Sequence, residues 1–209
     1  MKKAKILARG IVQGVGFRPF VHNLAVAHSL TGYVKNLGTS VEIVAEGEDS
    51  GVDAFIEGLR HGPKLSRIDS LDVAVEPYSG AHRDFRIEKS SSSGFGGFIP
   101  PDTGICSNCL EDMRGDTRFH DYWATSCVDC GPRYAIMDTL PYDRDNTTMK
   151  DFPFCEDCLK DYQDPHNRRY HAQGFSCPRC GPRLSLYGED RRPLGPPVEE
   201  TIRLLNEGK

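Results

Sequence analysis

ARGIVQGVGFRPFVHNLA, residues 8–25, is the most informative segment of the N-terminal half of this chain. The preceding residues predict a strand over 5–11. Apolar residues then recur at helical spacing over 17–29, with a proline that is acceptable in the first turn of a helix. A glycine-rich loop therefore joins a strand directly to a helix.

This loop has the properties of an anion-binding site. Gly14 and Gly16 permit left-handed backbone angles, so the successive N–H groups of residues 13–18 can face inward. The helix adds its positive N-terminal end, and Arg18 adds a planar fork that matches two phosphate oxygens. The loop is neither G-x-G-x-x-G nor a P-loop. A compact phosphate and an ordinary strand–helix turn remain the two interpretations.

Working outward, the pattern predicts strands at 31–37 and 40–46, a helix at 50–60, a strand around 71–75 and a short edge strand at 85–87. Ser50 and Asp53 resemble a capping box for the second helix. The order βαββαβ with a short edge strand predicts an α/β sandwich, with both helices on one face of an antiparallel sheet.

All eight cysteines lie in the C-terminal half, where the sequence repeats itself. CSNCLED at 106–112 matches CEDCLKD at 155–161, and CVDCGPR at 127–133 matches CPRCGPR at 177–183, at offsets of 49 and 50 residues. Each unit reads C-x2-C-x17/18-C-x2-C, which is the spacing of a tetrahedral thiolate site for zinc. We predict two structural Zn²⁺ sites, one formed by Cys106, Cys109, Cys127 and Cys130, the other by Cys155, Cys158, Cys177 and Cys180.

Three alternatives accompany this assignment. A catalytic zinc would need an open coordination position, which four thiolates do not leave. Iron–sulfur or redox chemistry also uses paired cysteines, and a cross-brace would share alternate pairs between two ions. Nearby histidines, interpreted as surface or structural residues, are His120, His166 and His171. The sequence does not indicate a role for the repeated Gly-Pro-Arg tract.

Composition limits the function classes. The 209 residues include 26 Lys+Arg and 30 Asp+Glu, so the net charge of −4 argues against a general nucleic-acid or anionic-membrane binder. No apolar run approaches the ~20 residues of a membrane span, and reduced cysteines fit a cytoplasmic protein. We expect an α/β domain at 1–90, a Ser/Gly linker at 91–100, tandem zinc units at 101–185, and a linker with the first helix of a further, truncated domain at 186–209.

Two stretches of the N-terminal half resemble the acylphosphatase signature, G-x-V-Q-G-V-x-F-R followed by G-x-V-x-N. Here they read GIVQGVGFR at 10–18 and GYVKN at 32–36. The predicted βαββαβ order fits the α+β, ferredoxin-like fold of that family. The resemblance implies that Arg18 and Asn36 are catalytic, with Asn36 orienting the attacking water while a substrate oxygen takes the proton. It also implies that phosphate is bound by Gln13, Gly14, Val15, Gly16, Phe17 and Arg18.

The combination with two zinc units resembles the HypF family, the carbamoyltransferases of nickel–iron hydrogenase maturation. The stretches PDTGICSNC (101–109), LPYDRDNTTM (140–149), FPFCEDC (152–158) and RRYHAQGFSCPRCGP (168–182) carry this resemblance. It implies carbamoyl phosphate as the substrate and HypE as a partner of the longer protein. It also implies a YrdC-like domain beyond residue 209, where ATP would act; this chain would only release carbamate and phosphate.

Three rival functions stay open. A free-standing acylphosphatase would accept several acyl phosphates. A nucleic-acid module could use the arginines of the zinc units, although the chain is net acidic and has few stacking aromatics. A scaffold role of residues 101–185 is compatible with catalysis elsewhere, and we expect no nucleic-acid partner. The arginines in question are Arg133, Arg168, Arg169, Arg179 and Arg183.

Overall fold

The computed structural model of the chain describes residues 1–91 and 100–209. The N-terminal half contains seven elements: β1 (Lys2–Ile11), α1 (Phe17–Ala27), β2 (Thr31–Leu37), β3 (Ser40–Gly47), α2 (Asp49–Leu59), β4 (Arg67–Pro77) and β5 (Phe85–Ile87). The strands form one sheet in the order β4-β1-β3-β2-β5. The predicted α+β, ferredoxin-like order is confirmed.

Both helices pack on one face of this sheet because the strands alternate. Ala4, Ile6 and Ala8 of β1 point into the same apolar core as Val34 of β2 and Ile43 of β3. The side chains of all five are at most 2 % exposed. This core holds the loop between β1 and α1 at one end of the sheet.

The structure differs from the prediction at three places. β5 runs parallel to β2, so the sheet is mixed rather than antiparallel. The capping box is wrong: α2 begins at Asp49 with Glu48 as its N-cap and no side-chain cap, which leaves Ser50 inside the first turn. α1 stops at Ala27 because Ser29 takes a left-handed φ of 54°. The predicted linker over 91–100 falls mostly outside the described residues.

The C-terminal half is built from short elements. α3 (Ser107–Arg114) and α4 (Glu156–Gln163) each start directly after the first cysteine of a unit, and 3₁₀ turns lie at Tyr134–Ile136, Arg144–Asn146 and Thr148–Asp151. α5 (Pro197–Asn206) forms the predicted C-terminal helix, and its side chains are not buried. Among the described residues, no helix is long and apolar enough to cross a membrane.

The two units share one backbone course. Asp121 and His171 occupy corresponding positions, with left-handed φ values of 53° and 52°. Each N–H donates back to the end of the unit's own helical region, from Asp121 to the Met113 carbonyl and from His171 to the Tyr162 carbonyl. The sequence repeat is therefore a structural repeat.

Candidate active site between the two halves

The loop between β1 and α1 has the backbone geometry expected of an anion-binding site. Gly14 and Gly16 have φ values of 66° and 74°, in the left-handed region that the glycines were expected to supply. Within the described part of the chain, the N–H groups of residues 14–18 donate to no other protein group. Unpaired donors at a helix N-terminus are suited to bind an anion.

Arg18 reaches from α1 across to the C-terminal half. Its Nη2 donates to the carbonyl oxygen of Tyr142 at 3.1 Å and pairs with Asp143 Oδ1 at 2.6 Å. Its Nη1 donates to Ser90 Oγ at 3.3 Å. The guanidinium is thus held by acceptors from both halves, with a side chain only 10 % exposed.

Gln13 has a structural side chain. Its Nε2 donates to the carbonyls of Gly38 and Ser40, at 2.9 and 3.3 Å, and its Oε1 accepts from the Tyr142 N–H at 3.4 Å. The amide therefore ties the loop to the β2–β3 turn and to the C-terminal half. Gln13 keeps only its backbone for an anion.

Asn36 lies in β2, and its side chain is 1 % exposed. Within the described residues, neither the oxygen nor the nitrogen of its amide has a hydrogen-bond partner. Its backbone carbonyl accepts from the Ser91 N–H at 3.0 Å, and the neighbouring Ser90 contacts Arg18. One dipeptide thus bonds to both predicted catalytic residues. A buried, unpaired amide costs free energy unless something fills its hydrogen-bonding capacity.

Two cavities meet at Arg18. The first, about 30 Å³, lies against the loop and has room for about two waters. The second, about 420 Å³, opens on the side of Asp143, between the end of the N-terminal half and the 140–146 segment. Arg18, His171 and Gln173 line both cavities. The open space at the site is therefore bounded by both halves of the molecule.

His171, which lines both cavities, has a depressed pKa. Burial, together with the positive charges of Arg18 and His22, lowers the pKa of His171 to about 4. The ring lies between the side chains of Tyr162 and Tyr170, with ring centroids 4.7 Å away in each case. His120 and His166, by contrast, are exposed.

Sequence reasoning missed three residues of this site: Tyr142, Asp143 and His171. Tyr142 and Asp143 lie in an irregular segment, where no periodicity marks a function. The sequence indicates only a surface or structural role for His171. One local signal existed for it, since the repeat places His where the other unit has Asp, but nothing local indicates that this turn faces Arg18.

The cysteines form two separate clusters of four. Cys106, Cys109, Cys127 and Cys130 make one, and Cys155, Cys158, Cys177 and Cys180 make the other. Within them, sulfur–sulfur distances are 3.7 to 3.8 Å for the Cys106–Cys127, Cys127–Cys130, Cys155–Cys177 and Cys177–Cys180 pairs. Four sulfurs at ~2.3 Å from a central zinc lie ~3.8 Å apart at tetrahedral angles. Both clusters therefore fit zinc, with each unit complete in itself and no cross-brace.

The units nevertheless pack by exchanging their central tracts. Phe119 and Tyr122 of the first unit lie in one apolar cluster with Cys158 and Cys177 of the second. In return, Arg168 of the second unit donates to Cys109 Sγ of the first at 2.8 Å. A reciprocal pair of ion pairs accompanies this packing, Arg168 with Asp112 and Arg118 with Asp161.

The arginines proposed for nucleic-acid binding divide into two groups. Arg133 and Arg169 are buried, and Arg168 is partly buried and paired, so these three guanidiniums are committed to contacts inside the protein. Arg179 and Arg183 are exposed. The five do not form one surface patch.

Comparison with known proteins agrees with this architecture. The acylphosphatase family model matches residues 4–87, and the HypF finger model matches residues 105–137 and 154–187. An acylphosphatase of Caldivirga maquilingensis is 46 % identical over 80 residues, which cover 37 % of this chain and 82 % of that protein. The fold and site thus define an acylphosphatase domain followed by a pair of HypF fingers.

Longer relatives carry the same combination. The carbamoyltransferase HypF of Rhodobacter capsulatus is 42 % identical over 187 residues, 89 % of this chain and 25 % of that protein. A crystal structure of full-length HypF in a phosphate- and nucleotide-bound form superposes with a TM-score of 0.90 at 38 % identity, covering 100 % of this chain and 28 % of that one. The chain belongs to the HypF family. It spans about a fifth to a quarter of the length of the curated relatives it matches.

Proposed function

We propose that this chain hydrolyses an acyl phosphate at the loop, and that its substrate is carbamoyl phosphate. The observation that carries the proposal is the buried amide of Asn36, which has no hydrogen-bond partner within residues 1–91 and 100–209 and is linked through residues 90–91 to the guanidinium of Arg18. A water or substrate bonded to Asn36 would satisfy that amide. The loop supplies the complementary donors for a phosphate.

The chemistry follows from these positions. Arg18 and the N–H groups of residues 14–18 hold the phosphate and neutralise its charge. Asn36 orients a water, whose oxygen attacks phosphorus while the bond from phosphorus to the acyl oxygen breaks. Carbamate leaves with the electron pair, and a phosphate oxygen accepts the proton of the water. An acyl phosphate is already activated, so positioning and charge stabilisation supply the catalysis.

The two cysteine clusters would hold one Zn²⁺ each in a structural role. Four thiolates leave no coordination position for water, so zinc here supplies folding free energy rather than a reactant. The clusters lie in a half with little apolar core of its own. A reducing cytoplasm would keep these thiols available.

The wider role rests on the relatives, which are carbamoyltransferases. In a longer protein, carbamate released at this loop would be activated with ATP by a part beyond this chain. That part would transfer the carbamoyl group to the C-terminal cysteine of HypE, on the way to the cyanide ligands of nickel–iron hydrogenase. This chain alone would complete only the hydrolysis.

Phosphate release from carbamoyl phosphate tests the proposal. Arg18→Ala should abolish release while the fold persists, and Arg86→Ala, an exposed arginine of the same half, should leave it unchanged. Acetyl phosphate serves as a comparison substrate. Equal turnover of both substrates would favour a general acylphosphatase, and full activity of the Arg18 variant would refute the site.

A further inference from the structure

Arg133 is a second buried cation, after Arg18, that joins the two halves beside the loop. It belongs to the first Cys-Gly-Pro-Arg tract, whose repetition in the sequence has no explanation in the proposed hydrolysis. Its side chain is 4 % exposed and lines the small cavity together with the loop.

All five N–H donors of this guanidinium are used by backbone carbonyls. Nε donates to Gly14 at 2.6 Å, in the loop. The other four bonds go to carbonyls of the first cysteine cluster and its neighbours, at 2.7 to 3.5 Å: Cys130, Pro132, Cys127 and Val128. Arg133 is therefore a direct connection between the first cysteine cluster and the loop.

The bond to Gly14 has a consequence for the next residue. In a trans peptide the C=O and N–H groups point in opposite directions. Holding the Gly14 carbonyl on Arg133 therefore aims the Val15 N–H away from Arg133 and into the loop. Gly14 has a left-handed φ of 66°, and a glycine resists rotation of this peptide less than other residues do.

The backbone of Arg133 is fixed as well. Its N–H and that of Ala135 donate to Asp102 Oδ1, at 2.6 and 3.1 Å. These two backbone bonds hold the pKa of Asp102 below its ordinary value. The second tract offers the contrast, because Arg183 at the corresponding position is exposed.

We propose that Arg133 is a positioning residue that sets the orientation of the Gly14–Val15 peptide, and so makes phosphate binding depend on the first cysteine cluster. This inference rests on the proposed function, since it assumes that the loop binds phosphate. It assigns the first Cys-Gly-Pro-Arg tract a role that the second does not have.

The test measures the affinity of the full chain for inorganic phosphate by calorimetry, with bound zinc determined on the same samples. Arg133→Ala should weaken binding at least tenfold while two zinc ions remain bound. Arg183→Ala, the matched control, should stay within twofold of the wild type. Adding guanidinium ion should restore binding to the Arg133→Ala variant, whereas an equal concentration of sodium chloride should not.

Arg133→Lys guards against a variant that simply unfolds. Lysine keeps the buried charge but cannot make five bonds in a plane, so phosphate affinity should fall several-fold while the chain stays folded with two zinc ions bound. Affinity within twofold of the wild type for both Arg133 variants would overturn the inference. If the wild-type chain itself neither binds phosphate nor hydrolyses carbamoyl phosphate, the proposed function fails instead.

Discussion

Arg18 and Asp143 form an ion pair across the two halves, with 2.6 Å between Nη2 and Oδ1. A bound phosphate would face the same guanidinium and would be repelled by the carboxylate. Asp143→Asn keeps an oxygen acceptor for Arg18 but removes the negative charge. We expect inorganic phosphate to bind about three- to tenfold tighter to this variant, or about 1 kcal/mol.

Titration calorimetry at low ionic strength measures this effect. Asp151→Asn provides the control, because Asp151 is exposed on the same half and makes no ion pair within the described residues. Weaker phosphate binding by Asp143→Asn would mean that the carboxylate orients Arg18 instead of competing for it.

Replacing Asn36 with leucine should have opposite effects on stability and on activity. Because its buried amide has no partner among the described residues, Asn36→Leu removes an unpaired polar group while nearly conserving volume. We expect the free energy of unfolding to rise by about 1 kcal/mol. Turnover should fall at least ~100-fold, since the attacking water loses its orientation.

Urea unfolding and phosphate release measure the two quantities on one preparation. Asn36→Ala should lose the same activity but be less stable than the leucine variant, because the smaller side chain leaves a cavity. An active or strongly destabilised leucine variant would contradict the assignment.

His171 should make the stability of the fold depend on pH. Its pKa is about 4 in the folded chain, against about 6.5 when unfolded. Above pH 6.5 the imidazole is neutral in both states and contributes nothing. Between 6.5 and 4 the unfolded chain binds the proton more readily, so stability is lost as the pH falls, by about 2 kcal/mol at pH 5.

His171→Asn isolates this contribution, because asparagine tolerates the left-handed φ of 52°. Urea unfolding of the zinc-loaded chain at pH 7.5 and pH 5 should show a smaller loss of stability for the variant. Protonation of the cysteine clusters is common to both proteins and cancels in the difference. Identical losses would contradict a depressed pKa.

Asp112 should affect how firmly both cysteine clusters retain their zinc ions. Its carboxylate bonds to Arg168 and Arg169 of the other unit, and Arg168 also contacts Cys109 Sγ. Asp112→Asn keeps an oxygen acceptor but removes the negative charge that faces both arginines, at a cost of about 2 kcal/mol in a partly buried setting. We expect a chelator to remove zinc from both clusters several-fold faster.

The rate of zinc removal is measured from the absorbance of a colorimetric chelator as it binds the released metal. Asp116→Asn, an exposed aspartate close in sequence, should behave as the wild type. Faster release of one zinc ion with the other unaffected would show that the units retain their metals independently.

The parts of the molecule that sequence predicts are those with local causes. The left-handed angles of Gly14 and Gly16 and the C-x2-C spacing are properties of short segments, and the structure contains both features. The parallel pairing of β5 was not predictable locally, because three residues carry no signal of strand direction.

The partners of Arg18 show what local sequence does not predict. Asp143 lies 125 positions after Arg18 in the sequence, in a segment without periodicity. It reaches Arg18 only through the packing of the two halves. Arg133 and Arg183 each end a Cys-Gly-Pro-Arg tract, yet one is buried and the other exposed. Local sequence identifies candidate groups, and long-range packing decides which of them meet.

The packing of each unit's central tract against the other unit determines which segment of this protein could be moved into another scaffold. A single unit moved into another scaffold would leave Phe119 and Tyr122 without the apolar cluster that covers them, and Cys109 without its arginine. It would carry four correctly spaced thiols and still lack half of its packing. The smallest portable module is therefore the pair of units, which behaves as an intramolecular dimer.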